Sequence, residues 1–552
     1  MEKKLARRFK FFIIIIALVF SILVVRIIKL MFFQKDIITS SPQTPSSRER
    51  GFIVDRNGEK LALSLETYSV YVRPKEIEQK KKTAQELASV LEMDYNHILK
   101  LINKNRQFVW LQRQVELKYT KGLEELDIKG VYLEQEYKRY YPYKNLSSHI
   151  IGFSGIDNKG LEGIEYYFDD FLLPETIDSS GIDYSFFTRG YTVILTIDKY
   201  IQEIVEEELS RALEHTGARL ITAIVMNPST GEVLAMANKP DYDLNNFIKY
   251  SNNTKRNKAI TDSFEPGSTF KIFIASILMD NGLIREDDTF LCEGRVEVEN
   301  RIIHDTGAHG SIDFRQVLEK SCNVGMVKSV KRIDVPKLYE GLRAFGFGTP
   351  TGINLSGEAK GILRNPNDWS KISKYGMAIG QEVSVTPLQL ITAASALANR
   401  GVLMQPRIIK QIEKPDGSIL KIYSPLKIRK VISEDTSERI LSILTGVLTE
   451  RGTGYKAYIE GYTISGKTGT AQIADTDKGG YLEDQFYASF VGFIPVPKAK
   501  IVVLITLDHP LGEVYGGGQT AAPVFKNIVE RITPYLNILP SFSEIYVLKD
   551  EK

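Results

Sequence analysis

The chain has 552 residues, of which 43% are apolar and 25% charged, with a net charge of +3. That is ordinary globular composition with room for about two to four domains. The near-neutral balance gives no domain-wide basic excess of the kind that binds nucleic acid. Two cysteines, Cys292 and Cys322, exclude a disulfide scaffold, and six histidines without H-E-x-x-H or related spacing argue against a metal site or a metal cofactor.

The N-terminus reads as a membrane anchor. Basic "MEKKLARRFK" (1–10) precedes uncharged "FFIIIIALVFSILVV", and Arg26 and Lys29 interrupt only near the end of the apolar run. Long basic side chains there can snorkel to the headgroups. A helix over 11–33 would be roughly 34 Å long, enough to cross a bilayer. A cleaved signal peptide is the alternative, but no small-residue cleavage site follows. The basic flank predicts a cytoplasmic tail over 1–10, with the rest outside a single-pass inner-membrane span. Residues 34–49 are a polar linker.

An irregular α+β region is expected over 50–190. It opens on alternating apolar and polar residues around Asn57-Gly58, a hairpin signal. Residues 84–130 read as largely helical. The aromatic run "YKRYYPYK" (137–144) reads as packing rather than a ligand platform.

A second region is expected over 191–540, with a C-terminal tail over 541–552. A helix should start near Asp198, with Ile201, Ile204, Val205 and Leu209 on one face. "LITAIVMNPSTGEVLAMANKP" is two strands about a turn. "YTISGKTGTAQIA" is a further strand, "YASFVGFIPVPKAKIVVLITLDHP" a hairpin, and "QTAAPVFKNIVERITPYL" an amphipathic helix. Strands at both ends with helices between predict one antiparallel sheet covered by helices.

Within this region "FEPGSTFKIF" (264–273) sets Ser268 and Lys271 one helical turn apart, at the mouth of an apolar run that closes at Asn281-Gly282. Positions i and i+3 share a face, so hydroxyl and amine can meet. A serine hydroxyl is a weak nucleophile until a base takes its proton. A lysine can be that base once burial or a neighbouring cation lowers its pKa. The blander reading of Ser268 is a helix cap. The S-x-x-K pattern alone is weak, since Ser418 with Lys421 and Ser424 with Lys427 also match, in a polar stretch. Two further elements follow in order: Ser321-Cys322-Asn323 and Lys467-Thr468-Gly469-Thr470. Ser321 and Asn323 could also cap a helix, and the lysine triplet could be an ordinary strand and turn.

S-x-x-K, S-x-N and K-T-G in this order resemble the active-site set of penicillin-binding proteins and class A β-lactamases. With "RGFIVDRNGEKLA", "GFSGIDNKGLEGIE", "NPSTGEVLAMANKPDYDLNNF", "HDTGAHG", "GQEVSVTPLQL", "GKTGTAQ" and "YGGGQTAAPVF", the chain resembles a class B penicillin-binding protein along nearly its whole length, most like the septal branch. Cys322 departs from the serine common at that place, and "GQE" stands where many members have a third small residue.

The resemblance implies a penicilloyl-serine transferase fold on a pedestal (dimerisation-type) domain. It implies a D,D-transpeptidase that cross-links peptidoglycan stem peptides through an acyl-serine intermediate and is acylated by β-lactams. Ser268 would be the nucleophile, Lys271 its base, Ser321 and Lys467 a proton shuttle, and Asn323 a substrate ligand. Thr468, Gly469 and Thr470 would bind the substrate carboxylate and backbone, and the N–H groups of Ser268 and Thr470 would form an oxyanion hole. Partners implied are the D-Ala-D-Ala donor and amine acceptor peptides, a membrane-embedded glycan polymerase and other division proteins. An elongation-specific transpeptidase, a D,D-carboxypeptidase, a β-lactam sensor or hydrolase, and a non-enzymatic scaffold are the alternatives. Cys292 and Cys322 are either a disulfide pair or free buried thiols.

Overall fold

The computed structural model describes residues 20–21, 48–173, 189–299, 301–474, 480–512 and 514–541. The expected anchor over 11–33 lies outside these apart from 20 and 21. Among the described residues no helix is long and apolar enough to cross a membrane.

The first region is built on antiparallel strands. β1 (Ile53–Val54) turns at Asn57-Gly58 into the long β2 (Lys60–Val72). Gly58 sits at φ +94°, the left-handed backbone this turn requires. Helices α1 (Lys80–Leu91) and α2 (Tyr95–Ile102) follow, then β3 (Val109–Val115), α3 (Leu117–Leu126) and β4 (Val131–Tyr140). The span expected to be largely helical is therefore broken by β3. Its alternating Val109, Leu111 and Val115 are buried in a small separate core with Leu87, Ile98 and Leu123. Fully buried Arg50 knits this region to the segment after β4. Its guanidinium donates to the Glu165 carboxylate at 2.5 Å and to Asp169 at 2.6 Å, while Arg139 donates to Glu165 from the other side at 2.6 Å.

β5 (Thr192–Leu195) leads into α4 (Lys199–Thr216), whose start is fixed by Asp198 accepting from the N–H groups of Tyr200 and Ile201. Ile201, Ile204, Val205 and Leu209 are buried on one face, as their spacing predicts. β6 (Leu220–Met226) and β7 (Val233–Lys239) pair antiparallel about the Asn227–Gly231 turn. A 3₁₀ turn, Gly267–Phe270, runs into α5 (Lys271–Asp280), which is buried all round to Met279. Four short strands follow: β8 (Thr289–Cys292), β9 (Arg295–Val298), β10 (Arg301–His304) and β11 (Gly310–Asp313), with β8 paired to β11 and β9 to β10. Then come α6 (Asn323–Val330), α7 (Pro387–Ala398), β12 (Ile409–Glu413) and β13 (Ile419–Ile422). The C-terminal part is β14 (Ser465–Ala474), β15 (Tyr481–Ile494), β16 (Ile501–Asp508) and α8 (Gly517–Tyr535).

Five strands make the central sheet, in the order β14-β15-β16-β6-β7, all antiparallel. The first and last parts of the region thus meet at its centre, where β6 pairs with β16. Both faces are covered. A Cβ on Gly492 would lie 2.3 Å from the Phe525 ring of α8, and on the other face Ser395 of α7 donates to the Met226 sulfur at 3.2 Å. β14 is an edge strand, and its outer side carries the site.

The polar stretch around Ser418 and Lys421 is not a loop. β12 and β13 extend the sheet of the first region in the order β13-β12-β5-β1-β2-β3, with β4 also on β2. Ile409 and Ile412 are buried there, whereas β13 is exposed although Ile419, Leu420 and Ile422 are apolar, so the sequence pattern of this hairpin does not match its burial. The two sheets are further tied by Asp198. Its carboxylate accepts from Asn57 at 3.2 Å and from the Tyr535 hydroxyl at 2.9 Å.

Candidate active site

The Gly267–Phe270 turn lies against β14. Gly267 has φ +54°, and a Cβ there would stand 2.9 Å from the Thr470 carbonyl oxygen. From the opposite side a Cβ on Gly469 would meet Ser489 Oγ at 2.3 Å and both the Pro266 carbonyl oxygen and the Thr269 methyl at 2.9 Å. The glycine expected to bare the strand for a substrate therefore also lets the serine turn seat on the strand. Ser268 is half-buried on that turn, and its hydroxyl makes no hydrogen bond among the described residues.

Lys271, one turn on, is fully buried. Its amine does not hydrogen-bond Ser268. It donates to the Ser321 carbonyl oxygen at 2.5 Å, to Asn323 Oδ1 at 2.6 Å and to Ser321 Oγ at 3.3 Å. An ammonium cut off from water takes every acceptor within reach, and the Ser321–Asn323 turn offers three. Asn323 is held from its other end, where Nδ2 donates to the His304 carbonyl at 3.0 Å.

Ser321 adopts φ +58°, a strained conformation for a residue with a side chain. The twist aims its hydroxyl between two lysines. Lys467, also fully buried, donates to Ser321 Oγ at 2.9 Å and to the Thr468 carbonyl at 3.1 Å. Neither Ser321 nor Asn323 caps α6; the cap is Cys322, whose sulfur accepts from the Gly325 N–H at 3.2 Å. The polar groups flanking it are thereby free for the site.

Burial pushes the Lys271 amine down to about 8, against the opposing pull of Asp305 and Cys322. Burial, then the nearby Lys271 charge, holds Lys467 well below the usual lysine range. Two amines that give up a proton more readily than a free lysine, joined through one hydroxyl, form a path along which a proton can move.

Thr468 and Thr470, two apart on β14, point to the same face; Thr468 is buried there and Thr470 exposed. The Thr468 hydroxyl pairs with that of Thr453 at 2.7 Å, and Thr470 Oγ1 accepts from the Gly517 N–H at 3.1 Å. Sequence reasoning missed Thr453, which sits in the unremarkable "ERGTGY". It also missed the seating role of the glycines at the start of α8: a Cβ on Gly517 would stand 2.4 Å from the Gly469 carbonyl oxygen.

Residues 221–530 match the penicillin binding protein transpeptidase domain, and residues 45–175 the penicillin-binding protein dimerisation domain. The chain is 35% identical to stage V sporulation protein D of Bacillus subtilis, over 98% of this chain and 87% of that protein. It is 30% identical to the peptidoglycan D,D-transpeptidase FtsI of Escherichia coli, over 90% of this chain and 85% of that protein. The crystal structure of penicillin binding protein 3 from Mycobacterium tuberculosis complexed with aztreonam superposes with a TM-score of 0.72 at 29% identity, over 90% of this chain and 98% of that one. The fold, the ordered serine, lysine and asparagine groups and these matches agree: the chain belongs to the class B penicillin-binding proteins, with a dimerisation domain ahead of a serine-type transpeptidase domain.

Proposed function

We propose that this protein is a peptidoglycan D,D-transpeptidase that cross-links stem peptides through an acyl-serine intermediate and is acylated by β-lactams. The observation that carries the reading is Ser321 Oγ, held between two fully buried amines beside the Ser268 turn. Ser268 Oγ attacks the penultimate carbonyl of a D-Ala-D-Ala end, and neutral Lys271 takes the hydroxyl proton. The C–N bond breaks, and a proton relayed through Ser321 and Lys467 goes to the departing D-alanine amine. An amine of a second stem peptide then attacks the ester and regenerates the serine, which is ping-pong acyl transfer. The Ser268 and Thr470 N–H groups serve the oxyanion, worth roughly 3 to 4 kcal/mol per donor in comparable enzymes. Edge strand β14 supports binding of the substrate backbone as an added strand. Asn323 orients the substrate amide, while Lys467, Thr468 and Thr470 attract its carboxylate.

The proposal includes an inner-membrane anchor over 11–33 that places the catalytic domain outside, and contacts of the first region with a membrane-embedded glycan polymerase and other division proteins. Likeness to FtsI supports work at the septum. Likeness to a sporulation protein favours a second reading, peptidoglycan cross-linking during spore formation. Labelling with fluorescent penicillin tests the chemistry. One long-lived adduct is expected in the native protein and none in Ser268→Ala. Rapid release of hydrolysed penicillin would instead indicate a hydrolase.

A further inference from the structure

Beside the catalytic turn the fold assembles four metal-binding side chains from distant positions. Cys292 ends β8, Asp305 and His309 lie in the loop between β10 and β11, and Cys322 caps α6. One donor atom of each lies within 4.8 Å of all the others. We propose that Cys292, Asp305, His309 and Cys322 bind one zinc ion, which pins the Ser321–Asn323 turn to the β8–β11 hairpins.

The site is built as a metal site is. Bonds of about 2.3 Å to sulfur and about 2.0–2.2 Å to nitrogen or oxygen place tetrahedral ligands roughly 3.3 to 3.8 Å apart. Already the Cys292 sulfur is 3.6 Å from Asp305 Oδ2, and His309 Nε2 is 3.5 Å from Asp305 Oδ1. No other pair of these donor atoms is more than 4.8 Å apart. The pocket is dry: Cys292 is 1% and Cys322 0% exposed, and the Asp305 side chain is 1% exposed. The buried His309 Nε2 has no hydrogen-bond partner among the described residues, an expensive state that a metal bond would relieve.

Supporting groups orient the ligands. Asp305 accepts from the Val324 N–H at 3.0 Å and from the Thr306 N–H at 2.9 Å. Cys322 accepts from the Gly325 N–H at 3.2 Å at the start of α6, which fixes its sulfur. Both cysteines are free in this structure. Two sulfurs, an imidazole and a carboxylate in tetrahedral reach suit zinc and exclude calcium or magnesium, which take oxygen cages. On binding, each thiol releases one proton to solvent and the imidazole binds neutral.

Sequence spacing hid the cluster because its members are spread from 292 to 322, only Asp305 and His309 lie close in the chain, and neither cysteine has a ligand partner nearby. Its consequence is local. Cys322 stands between Ser321 and Asn323, whose oxygens hold Lys271, so the ion would fix the geometry of the proton path.

The test is elemental analysis of the full-length protein purified in detergent without chelator. One zinc per chain is expected, with a fall of about tenfold or more in Cys322→Ser. His309→Ala, at the most exposed ligand, is the second variant should Cys322→Ser not fold, and the same fall is expected. Chelation should lower the melting temperature, zinc but not magnesium should restore it, and cobalt should add thiolate charge-transfer absorption. Wild-type protein without metal, whether its thiols titrate free or are joined in a disulfide, would overturn the proposal. So would full zinc retention in both variants.

Discussion

Lys271 and Lys467 meet at one oxygen. Their amines lie 3.3 and 2.9 Å from Ser321 Oγ, and neither side chain reaches solvent. Two like charges in one dry pocket repel, so the pair holds fewer protons at neutral pH than two free lysines would.

Acylation should therefore depend on pH through the nucleophile's base. The Lys271 amine, lowered to about 8, is charged below that pH and neutral above it. The rate of penicillin acylation is expected to rise with pH between 6 and 9, with a midpoint near that value, and Lys271→Arg should abolish the response. The stability sign follows from the same direction. An unfolded lysine keeps its proton to about pH 10.4, so between the two values the unfolded chain binds more protons and folding gains as pH rises. Denaturant titrations at pH 8 and 10, compared with Lys271→Met, measure that gain.

Ser321→Gly separates chemistry from folding. Glycine accepts φ +58° without strain, so the melting temperature should hold or rise. The hydroxyl bridging the lysines is lost, and acylation should slow by about 10² to 10⁴-fold. Stopped-flow acylation and calorimetry on the same sample check both halves.

Gly469→Ala tests the seating of the nucleophile. The added methyl would stand 2.3 Å from Ser489 Oγ and 2.9 Å from the Pro266 carbonyl oxygen. The serine turn must shift, and a displacement near 1 Å costs about 10²-fold in rate. The acylation rate is the readout, with circular dichroism confirming the fold.

Glu165→Gln tests the first region. Burial opposes ionisation of Glu165, but Arg139 and Arg50 more than offset it and hold the carboxyl below its usual range. Its contribution is therefore present above the ordinary carboxyl pKa and lost as pH falls through the lowered one. Removing the charge leaves two buried guanidiniums short of a partner and should cost about 3 to 5 kcal/mol in urea unfolding. Penicillin acylation of the variant that remains folded should be unchanged.

Much of this was readable from the chain. The face of α4, the β6–β7 and β15–β16 pairs and the central sheet follow from apolar patterning and turn residues, because α4 buries one face and the central strands are apolar runs buried on both. The three motifs marked the candidate site residues, and the structure brings Lys271, Ser321, Asn323 and Lys467 together. Long-range pairing was not readable. β12 and β13 join a sheet begun more than three hundred residues earlier, and nothing local in "KQIEKPDGSILKI" announces that partner. Thr453 and the Cys292–Cys322 cluster were missed for the same reason, since each acquires meaning only from a neighbour the fold supplies.

Peptide mapping of penicillin-treated protein is the most direct measurement of which group reacts. A penicilloyl mass on the peptide that carries Ser268, absent from Ser268→Ala, is the expected result. An adduct on Ser321 or on another peptide, with Ser268 unmodified, would contradict it.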